Sequence, residues 1–205
     1  EGEFAINKIE FWFDTKCPWA WITSRWITEV AHVRDISISW QVMSLYYLNK
    51  DRDGIGSDYL EHANNALGPL RVITQAAEEL GDEIVGELYT MFGSKVHLEK
   101  KEYSRDLIVE VLSDLKLPSS LAEAAQNPDL DEKILVSHRR GMSLVGEDVG
   151  TPIIAVDGIA FFGPVISPAP KGEEAGRLFD GIVTAASFPG FFEIKRTRTV
   201  GPIFD

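Results

Sequence analysis

An apolar run that ends at a Cys-Pro step restricts the fold more than any other feature of this chain. Residues Ala5–Asp14 alternate and then turn apolar through Ile9, Phe11, Trp12 and Phe13, the pattern of a buried strand. Cys17-Pro18 follows at once. Proline suits the first helical position, where its missing N–H costs no hydrogen bond, so Cys17 is expected at or near the N-cap of a helix. Trp19, Ile22, Trp26, Ile27 and Val30 share one side of that helix, which the spacing carries to about Val33. Arg34-Asp35 breaks it, and Ile36, Ile38, Trp40 and Val42 then alternate with polar neighbours as a second strand over Ile36–Ser44. Strand, helix and strand in this order make a βαβ unit with a parallel pair.

The continuation is unlike the start. Residues 45–57 read as a loop rich in Asp, Asn and Gly, and the pattern is helical from about Asp58 to Glu147. Gly68-Pro69, Gly81, Leu117-Pro118 and Asn127-Pro128 divide this stretch into roughly five or six helices. Gly150-Thr151-Pro152 then leads into Ile153–Val156, and Asp157-Gly158 separates that run from Ile159–Phe162, a strong hairpin signal. Lys171–Ala186 reads as a last helix, followed by an irregular tail with basic residues at Lys195, Arg196 and Arg198. The expected fold is α/β: a thioredoxin fold with an all-helical insertion after the second strand. Its segments are residues 1–48 (βαβ), 49–149 (insertion) and 150–205 (hairpin, helix and tail).

The chemistry centres on Cys17, the only cysteine. At a helix N-terminus a thiol meets unpaired amides and the positive end of the helix dipole, which favour thiolate and predict a pKa below that of a free thiol. Thiolate is the form that attacks a disulfide. Pro152, opening a strand after Thr151, is expected to be cis and to face Cys17, leaving the Thr151 backbone free to pair with a substrate. A lone cysteine forms no internal disulfide and fits a reducing cytoplasm. The formal net charge of −12 argues against nucleic-acid and anionic-membrane partners. No apolar run is long enough to span a bilayer, and the N-terminus shows no basic stretch followed by an apolar one, so no secretory signal is expected.

The segment Phe11-Trp12-Phe13-Asp14-Thr15-Lys16-Cys17-Pro18-Trp19-Ala20-Trp21-Ile22 resembles the active-site segment of DsbA-like, FrnE-type oxidoreductases. More narrowly, it resembles the actinobacterial mycothiol-dependent nitroreductase family. The likeness extends over Ile22–Val30, Val42–Leu45, Val145–Thr151, Phe161–Val165 and Phe191–Thr199. It implies a cytoplasmic enzyme that takes electrons from mycothiol and passes them to a disulfide or a nitroaromatic compound. It also implies that Asn49 and Tyr59 belong to the substrate pocket together with Pro18, Trp19 and Thr151. The family motif is Cys-Pro-Trp-Cys, and Ala20 stands where its second, resolving cysteine belongs. Either the enzyme is monothiol, or the chain is a resolving-cysteine-to-alanine variant of a dithiol enzyme. The otherwise intact motif favours the variant. The alternative function is that of the kappa glutathione transferases and 2-hydroxychromene-2-carboxylate isomerases, which share the inserted fold but usually carry Ser where this chain has Cys17.

Other residues weigh less. Asp14 either moves protons for the thiol or caps the loop. His32, His62, His97 and His138 lack metal-ligand spacing, so no metal is expected; His97 matches a position of the family and either lines the cleft or, the favoured reading, is a satisfied surface histidine. No phosphate-binding glycine loop occurs, so no nucleotide cofactor is expected. Arg139, Arg140 and the tail cations read as a solvated face. The apolar tail residues Phe188, Phe191, Phe192, Ile203 and Phe204 either close over the domain or form a homodimer contact.

Overall fold

A computed structural model describes residues 7–205, so the expected start of the first strand at Ala5 lies outside the described residues. The first strand, β1 (Asn7–Phe13), leads through Cys17 into α1 (Pro18–Val33) and on to β2 (Ile36–Val42). After the helical stretch come β3 (Ile153–Val156), β4 (Ile159–Phe162) and α8 (Gly172–Ala186). The sheet order is β2-β1-β3-β4. β1 and β2 run parallel with Phe11 opposite Trp40, while β3 runs antiparallel to both β1 and β4. Asp157 and Gly158 take φ of 48° and 82°, the left-handed pair that a two-residue hairpin loop requires. This is the α/β thioredoxin arrangement with helices between its second and third strands.

Because side chains alternate along a strand, β1 builds two cores. Ile9, Phe11 and Phe13 join the main core, where Phe13 stacks on Tyr89 at 3.8 Å and Phe11 packs on Trp40. Trp12 points the other way, among Met43, Ile153 and Ala155. Its ring lies so close to Gly141 that a Cβ there would sit 2.9 Å from it, and its indole N–H donates to the Ser137 carbonyl at 3.0 Å.

Between the strands lie α3 (Ser57–Asn65), α4 (Leu67–Leu80), α5 (Glu83–Gly93), α6 (Arg105–Asp114) and α7 (Asp131–Val145). A π-turn at Ser94–Leu98 and 3-10 turns at Ser119–Gln126 and Pro128–Leu130 join them. Two local expectations need correction. The stretch 45–57 is not all loop, because Leu45–Asn49 forms a short helix that we call α2 below. Gly68-Pro69 does not separate helices either. The break falls at Ala66, and both residues lie in the first turn of α4, where proline is tolerated.

The C-terminal tail returns to the domain. Phe204 packs on His97 at 5.6 Å, with the Lys100 ammonium 4.7 Å over its ring, and Ser167 bonds the backbone of Gly201 and Ile203. Phe188 and Phe192 remain exposed. Among the described residues, no helix is long and apolar enough to cross a membrane.

Candidate active site

Cys17 caps α1. Its backbone is extended (φ −74°, ψ 113°), and its sulfur accepts a hydrogen bond from the Ala20 amide at 3.4 Å. Pro18 occupies the first turn, and Trp21 N–H closes onto the Cys17 carbonyl at 3.1 Å. From across the sheet, the thiol donates to the Thr151 carbonyl at 3.6 Å. The Thr151-Pro152 bond is cis, and the Thr151 hydroxyl donates back to the Trp12 carbonyl. Pro152 is buried behind Thr151, and its carbonyl accepts from Gly163 N–H at 2.9 Å. Ala20 is fully buried and packs with Cys17 and Leu45, edged by Trp19 and Leu48.

The expectation of a lowered thiol pKa is not met at this buried sulfur. Burial pushes the Cys17 thiol up to about 11. The Ala20 and Trp19 amides and the Lys16 charge pull it down, but the Asp14 carboxylate adds to the rise. A cap residue shielded from water gives up more hydration of its thiolate than the neighbouring amides return.

Asp14 directly follows β1 and is fully buried. One carboxylate oxygen accepts from Lys16 N–H at 3.0 Å and the other from Leu45 N–H at 2.7 Å. Of its two readings, the structure places it as the cap of the Cys17 loop. The same bond holds the start of α2, whose first turn is also capped by the Ser44 hydroxyl on Tyr47 N–H at 3.2 Å. Desolvation raises the Asp14 pKa to about 6 against these two amides.

Cys17 opens onto a cleft of about 400 Å³. Pro18, Trp19, Asn49, Tyr59 and Thr151 all line it. The Asn49 amide donates to the Leu45 carbonyl at 3.0 Å and to the Tyr59 hydroxyl at 3.1 Å, which ties α2 to α3 across the opening. Burial, with the Asp14 and Cys17 charges, raises the Tyr59 pKa, so Tyr59 offers a protonated hydroxyl.

Three cations of the cleft escaped the sequence reading of the site. The Lys16 ammonium sits 4.0 Å over the Tyr59 ring, the Arg198 guanidinium 4.8 Å over the Trp19 ring, and Arg52 donates to the Glu147 carbonyl at 2.6 Å. Arg198 is exposed, as are Lys195 and Arg196, and departs from the reading of a solvated face only in reaching back over Trp19 at the cleft. It lies in an irregular segment where no periodicity marks it. Arg139 and Arg140 do lie at the surface, paired with Glu132 and Glu10.

His97 is also corrected. It is buried, bonded through Nε2 to the Thr15 carbonyl at 2.8 Å, and stacked on Trp21 behind the Cys17 loop. Burial lowers its pKa to about 4, so it is neutral. Among the described residues, no three His, Cys, Asp or Glu side chains gather as a metal site.

A helix-capping cysteine facing a cis-proline bond across an interrupted thioredoxin fold belongs to the thiol–disulfide oxidoreductases. Within that class, the chain belongs to the Rv2466c-like family, described as mycothiol-dependent nitroreductase Rv2466c, whose profile matches residues 16–196. It is 26% identical over 197 residues to Rv2286c of Mycobacterium tuberculosis, described as an uncharacterized protein, covering 95% of this chain and 84% of that protein. Among solved structures it resembles the cytosolic disulfide reductase DsbM from Pseudomonas aeruginosa with GSH. That match has a TM-score of 0.58 and 16% identity over 86% of this chain and 99% of the other. It also resembles the thiol-disulfide exchange protein alpha-DsbA2 from Wolbachia pipientis, with a TM-score of 0.54 and 15% identity over 88% and 84% of the two chains. At these identities the two structures speak for the fold.

Proposed function

We propose that this protein is a cytoplasmic reductase in which Cys17 and a low-molecular-weight thiol, mycothiol, together reduce a disulfide or a nitroaromatic compound. The observation that carries the reading is the Cys17 sulfur itself. It lies at the floor of an open cleft, accepting the Ala20 amide and facing the Thr151 carbonyl.

With a disulfide, the Cys17 thiolate forms a bond to one sulfur and expels the other as thiolate, while its own proton goes to solvent. With a nitroarene, Cys17 and one mycothiol each give up a proton and one electron. They become a mixed disulfide as the nitro group becomes nitroso and water leaves. A second mycothiol then attacks that mixed disulfide and frees Cys17. Trp19 supplies a flat surface for an aromatic substrate, and Asn49 and Tyr59 supply polar contacts.

Position 20 decides how the adduct is released. Its amide lies 3.4 Å from the sulfur, so a cysteine there would stand beside any disulfide formed on Cys17. Intramolecular attack gains high effective concentration. Incubated with oxidised mycothiol, the Ala20 chain should accumulate a Cys17–mycothiol adduct that only external thiol releases. Ala20→Cys should replace that adduct with an internal disulfide, and Cys17→Ser should form neither. Intact-mass spectrometry reads all three. Absence of the adduct in the Ala20 chain would defeat the proposal.

A further inference from the structure

The acidic chain concentrates positive charge at its catalytic cleft. Formal net charge is −12, yet Lys16, Arg52 and Arg198 line the opening above Cys17. They come from the β1–α1 loop, the segment after α2 and the C-terminal tail. Among the described residues, none of the three enters an ion pair, whereas cations elsewhere, such as Arg34, Arg71 and Lys95, do. Asp148 is the one acidic residue lining the same cleft among those described. Asp14 lies behind the loop, with both carboxylate oxygens taken up by backbone amides.

Two of the cations are held at the rim by aromatic faces. Lys16 lies over Tyr59 and Arg198 over Trp19, positions that keep the charged heads at the cleft mouth. Arg52 is steadied by the Glu147 carbonyl and approaches the Asn49 amide oxygen at 3.5 Å. An aromatic ring entering the cleft beside Trp19 would thus lie among unpaired positive charges.

We infer that the electron acceptor is an aromatic compound bearing an anionic substituent, such as a carboxylate, and that Arg198, with Arg52 and Lys16, selects it. This rests on the redox reading of Cys17. The selected step is attack of the Cys17 thiolate on an aromatic disulfide. A Cys17–S–S–aryl bond forms, the original S–S bond breaks, and one aryl thiolate leaves.

The probe pair is bis(3-carboxy-4-nitrophenyl) disulfide and its neutral carboxamide analogue, which differ in charge but little in shape. Single-turnover rates of aryl thiolate release are measured for each. Both are divided by the rate with free N-acetylcysteine amide, a thiol without a carboxylate, to remove intrinsic reactivity. The normalised ratio of anionic to neutral probe should exceed one in the parent chain and should collapse as ionic strength rises. Arg198→Gln should lower it about threefold to fivefold, the scale of one solvent-facing charge contact, and Arg52→Gln and Lys16→Gln should lower it in the same direction. Lys195→Gln removes the same charge from the same tail but does not line the cleft, and should leave the ratio where it was. A ratio of one in the parent chain, or an equal fall in Lys195→Gln and Arg198→Gln, overturns the inference while the redox reading stands. If neither probe modifies Cys17, both fail together.

Discussion

Asp14 puts a buried carboxylate beside a thiol that must lose its own proton to react. The two anions oppose each other, and the Asp14 charge is one of the causes that raise the Cys17 pKa. Replacing it with Asn keeps an oxygen for one of the two amides and removes the charge. Asp14→Asn should therefore move the pH profile of Cys17 alkylation by iodoacetamide toward lower pH. Because Asp14 itself titrates at about 6, the rate advantage should appear only above that pH. Superimposable profiles would show that the carboxylate does not govern the thiol. Residues at this site were legible in the sequence where a local rule names them. Pro18 marks the helix start that makes Cys17 a cap, and Thr151-Pro152 opens a strand. Family likeness pointed to Asn49 and Tyr59. Arg198 was not legible, because its place over Trp19 is set by how the tail folds back. Nor was the burial of the Cys17 thiol, which turns an expected fall in its pKa into a rise.

At the scale of elements, α1 carries the reactive cysteine and must be held against α5. Trp21 provides that contact, packing on Tyr89 and on His97 while its six-membered ring lies over the backbone of Gly93. A Cβ on Gly93 would come within 2.2 Å of that ring, a distance no packed pair of carbons tolerates. Gly93→Ala should destabilise the fold by about 3 kcal/mol, at the upper end of overpacking costs. Gly181, exposed in α8 with nothing within 4 Å of its Cβ position, should behave oppositely. Gly181→Ala should stabilise by about 0.5–1 kcal/mol through helix propensity. Urea unfolding midpoints separate the two, and equal effects would contradict this packing account. The larger elements were readable because each carries its own pattern: alternation in β2, Asp-Gly between β3 and β4, and a 3.6-residue period in α1. The short helix α2 was not. Five residues cannot sustain a helix alone, and its first amide is held by Asp14, 31 residues away in the chain.

Across the whole molecule, two buried titrating groups pull stability in opposite directions over the same pH range. Asp14 rises from an ordinary 3.8 to about 6 on folding. Between those values the folded chain holds more protons than the unfolded one, so this group's contribution to stability falls as pH rises. His97 drops from 6.5 to about 4, chiefly through burial. There the unfolded chain holds more protons, so its contribution grows as pH rises from about 4 to 6.5. At roughly 1.4 kcal/mol per unit, each effect amounts to about 3 kcal/mol, and the two nearly cancel. Removing one group should expose the other. Between about pH 4 and 6, the stability of Asp14→Asn relative to the parent chain should increase by about 3 kcal/mol as pH is raised. That of His97→Gln should decrease by a similar amount over about pH 4 to 6.5, on top of a constant loss from the Trp21 and Phe204 contacts. Taking differences against the parent at each pH removes the contribution of paired surface carboxylates such as Glu110 and Asp180, which both variants keep. Urea unfolding of the three chains across this range measures both slopes. Slopes of the same sign in the two variants would mean that Asp14 does not stay protonated and His97 unprotonated in the folded protein over this range.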